Sequence, residues 1–418
     1  MESSRSFLRT LFEQAVNTCL PSVCLNTHFE AVDVSQGVCI VGAGKASADM
    51  AAAAYKKYGD ACYGKVVTRY GYGTELPTGN IDILYAGHPV PDENSLAAGQ
   101  ALLELVAKTP AHIPIIFLIS GGGSALMSVP VAGVSFADKM ALHQFLLRSG
   151  APIDQMNIVR KQLSGVKGGR LAHAAAGQCY TFVISDVVGD DPSLIASGPT
   201  VDDTSTPAQA LAILEQYHWP ATSSITDYLT KASHRKASHL IPQKQSHYCI
   251  VANAHRAIDT AAFYAQEAGW HTQVLNYEQQ GEAAQVAKQH AAIALEMQSK
   301  GQKCLLFSGG ELTVTLSKGD GGDGGPNQEY LLAMAIALNG APGIRVLACD
   351  TDGVDGSQEV AGGFIDETIL IKAKAKGLLP QAYLDKHDSY HFLKALDALI
   401  ITGPTRTNVN DFRVIMIN

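Results

Sequence analysis

The sequence predicts an α/β protein of two domains: a doubly wound N-terminal domain on a parallel sheet, then an α/β domain on a mixed sheet, with a cleft between them. Three observations predict it. Short apolar runs alternate with helical segments along most of the 418 residues, which calls for strands joined by crossover helices. Glycines follow several of these runs directly, as at tight strand-to-helix turns. The alternation also pauses at a polar, basic stretch, KASHRKASHLIPQKQ, and then restarts. That pause places a boundary near residue 240 and gives domains 1–240 and 241–418, in keeping with about 150 residues per domain.

The elements follow in order. Phe7, Leu8, Leu11, Phe12, Ala15, Val16, Cys19 and Leu20 recur at helical spacing and predict an opening helix stopped by Pro21. Val38 to Val41 is a strand, Gly42-Ala43-Gly44 a turn, and the alanine-rich run after Lys45 a helix. Strands are expected at Lys65 to Thr68, Ile81 to Tyr85, Ile115 to Ile119 and Tyr180 to Ser185, with helices at Ser95 to Lys108 and Ser135 to Arg148. Beyond the boundary, HYCIVAN and HTQVLNY alternate with helices at Ala254 to Ala268 and Gly281 to Lys300. KCLLFSGGELTVTL, IRVLACD, GGFID, DALIITG and FRVIMIN supply further strands. LTVTL directly after a presumed loop reads as an antiparallel or edge hairpin, hence the mixed sheet.

Composition narrows the function. A net charge of −8 leaves no basic footprint for nucleic acid. No apolar run approaches the roughly 18 residues of a membrane span, and there is no signal pattern, so a cytoplasmic protein is expected. The eight cysteines contain no CxxC pair and read as reduced thiols. A homodimer is an open option for assembly.

The chemistry gathers at glycine turns and strand ends. In IIFLISGGGSALM a buried strand hands over to Ser120, Gly121, Gly122, Gly123 and Ser124, a turn whose N–H groups suit a phosphate or carboxylate. LLFSGGELTV repeats the pattern in the second domain with Ser308, Gly309, Gly310 and Glu311. Two such loops on one cleft would suit a substrate with two anionic ends. Lys45 follows a glycine turn at the edge where α/β ligands bind and reads as functional rather than as a solvated lysine. NIVRKQLSGVKGGRLA carries Arg160, Lys161 and Lys167; as a helix it would put Arg160 and Lys167 nearly on one face, with Arg170 a turn along. His88 lies in a Pro-rich loop, as a ligand contact or a loop histidine held by backbone. Asp186 and Asp190, and Asp350, Asp352 and Asp355, follow strand ends, where carboxylates hold Mg²⁺ or act as a base; Asp191, Asp352 and Asp355 read as turn caps. Asp350 to Gly356 is not a calcium loop, because Val354 and Ala361 occupy positions that need acids. KGDGGDGG before Asn327 reads as a lid or a plain surface loop.

Together, VGAGKAS, AGHPVPDE, SGGGSAL, NIVRKQLSGVKGGRLA, ISDVVGDDPSLIASGPT, FSGGELTV, NQE, DTDGVDG and TGPTRTNVNDFRV resemble the MOFRL-type glycerate 2-kinase family, also labelled hydroxypyruvate reductases. The resemblance runs from about residue 38 to the C-terminus. It implies two α/β domains, the first Rossmann-like, and ATP- and Mg²⁺-dependent phosphorylation of D-glycerate to 2-phosphoglycerate, with Lys45 in the active site. On that reading Lys45, Asp186, Asp190 and Asp350 are the catalytic candidates, with Asp186 and Asp190 on the metal. The glycine turns and Asn327 hold the nucleotide, and Arg160, Lys161, Lys167 and Arg406 hold the acid. Two positions depart from the family pattern. The usual GGRNQE arginine is Pro326, and the glycine of TGPTGTN is Arg406, which would supply the missing cation if it compensates. Two other functions stay open: an NAD(P)-dependent hydroxypyruvate reductase, against which GAGKAS offers only part of a dinucleotide fingerprint, and a non-catalytic sensor of a small phosphorylated acid.

Overall fold

The computed structural model describes residues 3–220, 223–234, 246–316 and 321–418. The expected boundary near residue 240, with most of its polar basic stretch, lies outside them. The chain forms two units, Cys24–Val251 and a second built from Met1–Val23 with Ala252–Asn418.

The first unit carries six strands: β1 (Val38–Ala43), β2 (Cys62–Arg69), β3 (Asn80–Ala86), β4 (Ile115–Ser120), β5 (Cys179–Ile184) and β6 (Ser246–Ala252). They lie in the order β3-β2-β1-β4-β5-β6, and the registered pairs from β3 through β5 all run parallel. Helices such as Ser47–Tyr58 and Glu93–Lys108 make the crossovers. β1, β4 and β5 are buried along their whole length, which explains their unbroken apolar runs, whereas the edge strand β3 mixes buried and exposed positions. This is the doubly wound order, and it reverses between β1 and β4, where such folds bind ligands beyond the strand C-termini.

The second unit has the sheet order β11-β10-β9-β12-β8-β7, from β7 (Thr272–Glu282), β8 (Cys304–Thr313), β9 (Ile344–Asp350), β10 (Gly362–Ile365), β11 (Leu399–Ile400) and β12 (Asp411–Ile417). β7 and β8 are parallel and the remaining pairs antiparallel, so the sheet is mixed, as expected. Helix Pro326–Leu338, apolar almost all round, packs inside this unit.

Four local expectations change. The opening helix, Ser4–Thr18, packs on helix Ala254–Glu267 and belongs to the C-terminal unit, while β6 joins the N-terminal sheet, so the units are not contiguous halves. Pro21 starts a short helical turn, Pro21–Cys24, after the first helix has ended. LTVTL is not a separate hairpin: Leu312 and Thr313 continue β8. The run 157–172 is not one helix, because the helix of Ile153–Gln162 stops before Gly165 and resumes only as a turn at Arg170–His173. Gly168 and Gly169 take φ of +60° and +79° in that break, a conformation that ends a helix. All eight cysteines are free, and among the described residues no helix is long and apolar enough to cross a membrane.

Candidate active site

The turns after β1 and β4 lock together at the switch point. The Lys45 N–H donates to the Gly121 carbonyl at 2.8 Å, and the Ala46 N–H donates to the buried Ser120 Oγ at 3.0 Å. Ser47 Oγ donates back to the Gly44 and Val67 carbonyls. Each loop therefore fixes the other. The helix expected after SGGG is a single turn, Gly123–Leu126, so its value to an anion lies in local N–H groups rather than a long helix dipole. Gly122 is left-handed, with φ +83°, and a Cβ there would lie 2.9 Å from the His88 ring. At Gly121 a Cβ would overlap the Asp186 carboxylate. The glycines thus bring one acid and one imidazole against the loop. Burial first, then the charges of Lys45 and Arg69, push His88 down to about 4, so it stands neutral at pH 7.

Beside this loop lies a cavity of about 210 Å³. Its polar lining is Ser124, Ser128, Lys139, His143, Arg160 and Lys167, joined by His88, and among the described residues no carboxylate lines it. Lys167 Nζ donates to Ser124 Oγ at 2.6 Å, and Ser124 Oγ lies 2.8 Å from Ser197 Oγ. Arg160 Nε is buried without a hydrogen-bond partner. Burial, then Lys139 and Arg160, hold Lys167 well below its usual range; burial alone brings Lys139 to about 7. Burial, then the charges of Arg160, Lys167 and Lys139, push His143 down to about 4. Buried cations of this kind are costly unless an anion pairs with them.

Of the expected basic residues, Arg160 and Lys167 meet here, though across a helix end rather than along one face. Lys161 does not: its ammonium faces Asp203 at 3.8 Å. Arg170 is structural, donating to the Lys161 and Lys167 carbonyls at 2.8 and 3.0 Å. Lys139 and His143 escaped sequence reading. They sit four apart on helix Phe136–Arg148, within a mostly apolar pattern that marks no motif.

The acids divide. Asp186 follows β5 and abuts Gly121. Asp190 takes φ +51° in a turn closed by its N–H on the Val187 carbonyl at 3.1 Å. Asp191 and Asp352 cap turns, accepting from the Ser193 and Val354 N–H groups, and Asp350 Oδ1 accepts from the Asp352 N–H at 2.8 Å. Asp355 caps helix Pro326–Leu338, accepting from the N–H groups and side chains of both Asn327 and Gln328. Burial, then the Asp411 charge, pushes it up to about 6.

The second SGG is not a loop. Ser308 to Glu311 lies within β8, where the register against β7 shifts between Asn276 and Gln279, and Gly310 is left-handed at φ +86°. A Cβ on Gly309 would lie 2.8 Å from the Tyr277 carbonyl, so these glycines admit a bulged neighbour strand. From β12, Arg413 (0 % exposed) donates to Ser308 Oγ at 3.3 Å and to the Gly309 carbonyl, and pairs with Asp411 at 2.7 Å. Asn327 Nδ2 donates to Asp411 Oδ1 at 2.6 Å. Ser308, Gly309 and Asn327 are thereby buried in a frame, while Glu311 is exposed. Pro326 occupies the first turn of its helix, and Arg406 takes φ +72°. Lys318 to Asp320 of the expected lid lie outside the described residues. Next to them, Asp323 is tied to Asp388 and Tyr390.

A doubly wound unit with a cation-lined cavity beside its switch point defines the class: a two-unit α/β protein with a ligand-sized cavity in its parallel-sheet unit. The family described as "Domain of unknown function (DUF4147)" matches residues 7–230, and the MOFRL family matches residues 304–411. The chain belongs to this family, the glycerate 2-kinases. It is 37 % identical to the D-glycerate 2-kinase of Thermotoga maritima, over all of this chain and 99 % of that one. A protein of Agrobacterium vitis with a provisional hydroxypyruvate reductase name is 42 % identical, over 99 % of this chain and 95 % of that one. A crystal structure of glycerate kinase from Thermotoga maritima superposes with a TM-score of 0.90 at 35 % identity, covering 99 % of each chain.

Proposed function

We propose that this protein is a kinase that transfers the γ-phosphoryl group of ATP to the 2-hydroxyl of D-glycerate. The observation that carries the reading is the 210 Å³ cavity lined by Lys139, Arg160 and Lys167, with no acid among the described residues of its wall. An apolar cavity of about 150 Å³ takes up benzene, so this one suits a single three-carbon acid and leaves the nucleotide to lie outside it. The cations and Ser124 hold the carboxylate. The N–H groups of Gly121 to Ser124 face the phosphates, and Lys45 balances the charge that spreads over the transferred group. His88, held neutral, can accept or donate a hydrogen bond without adding charge.

Mg²⁺ fits this donor set. Asp186 is pressed against the glycine turn, and Asp190 follows on the same loop. That suits an ion held by one or two carboxylates, Asp186 with Asp190, and otherwise by phosphate oxygens and water. When bound, the ion neutralises phosphate charge. Asp186, beside the glycine turn, is the acid we assign to take the proton of the attacking hydroxyl.

A nicotinamide reductase is less well supported, because β2 ends at Arg69 where a dinucleotide site places an acid for the ribose. The test is ATP consumption that depends on D-glycerate, with the product identified by phosphorus NMR. NADH oxidation with hydroxypyruvate and no ATP use would replace the kinase by the reductase. Binding without either turnover would leave a sensor.

A further inference from the structure

We propose that Lys139 is a specificity-determining residue that binds the carboxylate of the acid substrate and sets the preference for a hydroxy acid over an uncharged polyol. This inference rests on the kinase reading above. Helix Phe136–Arg148 begins at Ser135, whose side chain accepts the Asp138 N–H at 3.0 Å, so Lys139 lies in the first turns of the helix and His143 one turn further on the same face. Both line the cavity.

Three features of Lys139 oppose stability. It is 8 % exposed, it carries a cation near a helix N-terminus, and its ammonium donates to a neutral group, the Val129 carbonyl, at 3.0 Å. The groups around it add to the deficit. Among the described residues, Lys167 Nζ donates to the Ser124 hydroxyl, Arg160 Nε has no hydrogen-bond partner, and Met140, Leu142, Leu146 and Leu163 form an apolar side of the pocket. Depression of the Lys139 pKa to about 7 reflects the same missing anion. A side chain retained at this local cost, aimed into a cavity of substrate size, is explained by the ligand that pairs with it. The apolar wall strengthens that pairing by excluding water from the carboxylate.

The experiment compares wild type with Lys139→Met and Lys139→Arg. With D-glycerate the Met variant is expected to raise KM about 10- to 100-fold, the range of a charge-assisted hydrogen bond. Its kcat should stay near wild type and its KM for ATP should not move. Its preference for D-glycerate over glycerol should fall by a similar factor, and Arg should restore most of the loss. The ligand-free Met variant should melt no lower than wild type, since it removes a buried charge. An unchanged KM for D-glycerate overturns the proposal. So does a lower melting temperature with D-glycerate affinity retained, which would make Lys139 a clip on Val129. If wild type does not phosphorylate D-glycerate, the kinase reading fails. The inference is then decided by calorimetric titration with D-glycerate and inorganic phosphate: loss of affinity in the Met variant supports an anion site at Lys139, and equal affinity, or no binding by wild type, overturns it.

Discussion

Lys167 Nζ donates to Ser124 Oγ at 2.6 Å, which makes one site of two glycine-bearing segments 43 residues apart. The bond aims the ammonium along the edge of the glycine turn, and Ser197 Oγ at 2.8 Å fixes the hydroxyl. Lys167→Met should lower kcat/KM for D-glycerate about 100-fold, the loss of a buried charge-assisted contact of about 2–3 kcal/mol. Ser124→Ala should cost less. Since the two act as a unit, the double variant should resemble Lys167→Met alone; full additivity in steady-state kinetics would show that they act separately.

Gly121 tests how tightly the acid is set against the loop. A methyl group there would overlap the Asp186 carboxylate, while the backbone itself is not left-handed. Gly121→Ala should therefore displace Asp186 rather than strain the turn. The expected result is a loss of more than about 100-fold in kcat together with a higher Mg²⁺ requirement, and a destabilisation of about 1–3 kcal/mol by denaturant unfolding. Asp186→Asn should reproduce the Mg²⁺ effect without the loss of stability. A Gly121→Ala enzyme with normal Mg²⁺ dependence would separate Asp186 from the metal.

Much of the first unit was legible in sequence because parallel strands buried on both faces leave unbroken apolar runs, and each turn was marked by its glycines. The site was less so. Arg160 and Lys167 were selected as a helical pair, yet Gly165, Gly168 and Gly169 end that helix, and the two cations meet through a loop. Lys139 was hidden because one lysine in an amphipathic helix looks like a solvated residue. The repeated SGG misled for a physical reason. Glycine serves a packed strand-to-helix turn at Gly121 to Gly123 and a strand bulge at Gly309 and Gly310, and the residue that separates the cases, Arg413, lies over a hundred positions away across the sheet. Its partner strand is antiparallel β12, which local sequence around SGG cannot reveal.

Lys139 also predicts a pH effect. Burial lowers it from its ordinary value of 10.5 to about 7 in the ligand-free protein, so its charge is lost as pH rises through 7. KM for D-glycerate should be flat below that pH and rise above it, by at most about tenfold per pH unit for one group. The groups that face it are His143, one turn along the same helix, Arg160, Lys167 and His88. His143 and His88 are both held near 4 and stay neutral over the range, whereas Lys167, also depressed, adds to the rise. For folding the sign is opposite. A cation with a lowered folded pKa destabilises the empty protein at and below about pH 7, and this penalty fades toward pH 10.5. Lys139→Met should remove part of both dependences, measured as KM and as unfolding free energy against pH.

Arg406 decides whether the second unit has replaced a lost cation. Its φ of +72° is a backbone setting that glycine adopts freely and that costs an arginine about 1–2 kcal/mol. Arg406→Gly relieves that strain, set against the greater freedom of glycine in the unfolded chain, so the melting temperature should hold or rise slightly. Backbone geometry gives no reason for an arginine at this position, so the reason to test is its side-chain charge. If that charge serves the substrate, Arg406→Gly should cut turnover of D-glycerate by about 100-fold without destabilising the fold. Pro326 supplies the second half of the test. It sits in the first turn of helix Pro326–Leu338, where proline lacks no needed N–H, and an arginine there should cost no more than about 1 kcal/mol. Pro326→Arg in the Arg406→Gly background should restore turnover if one cation stands in for the other. Unchanged kinetics in Arg406→Gly alone would refute the compensation, and a double variant as slow as the single would show that the two positions serve different groups.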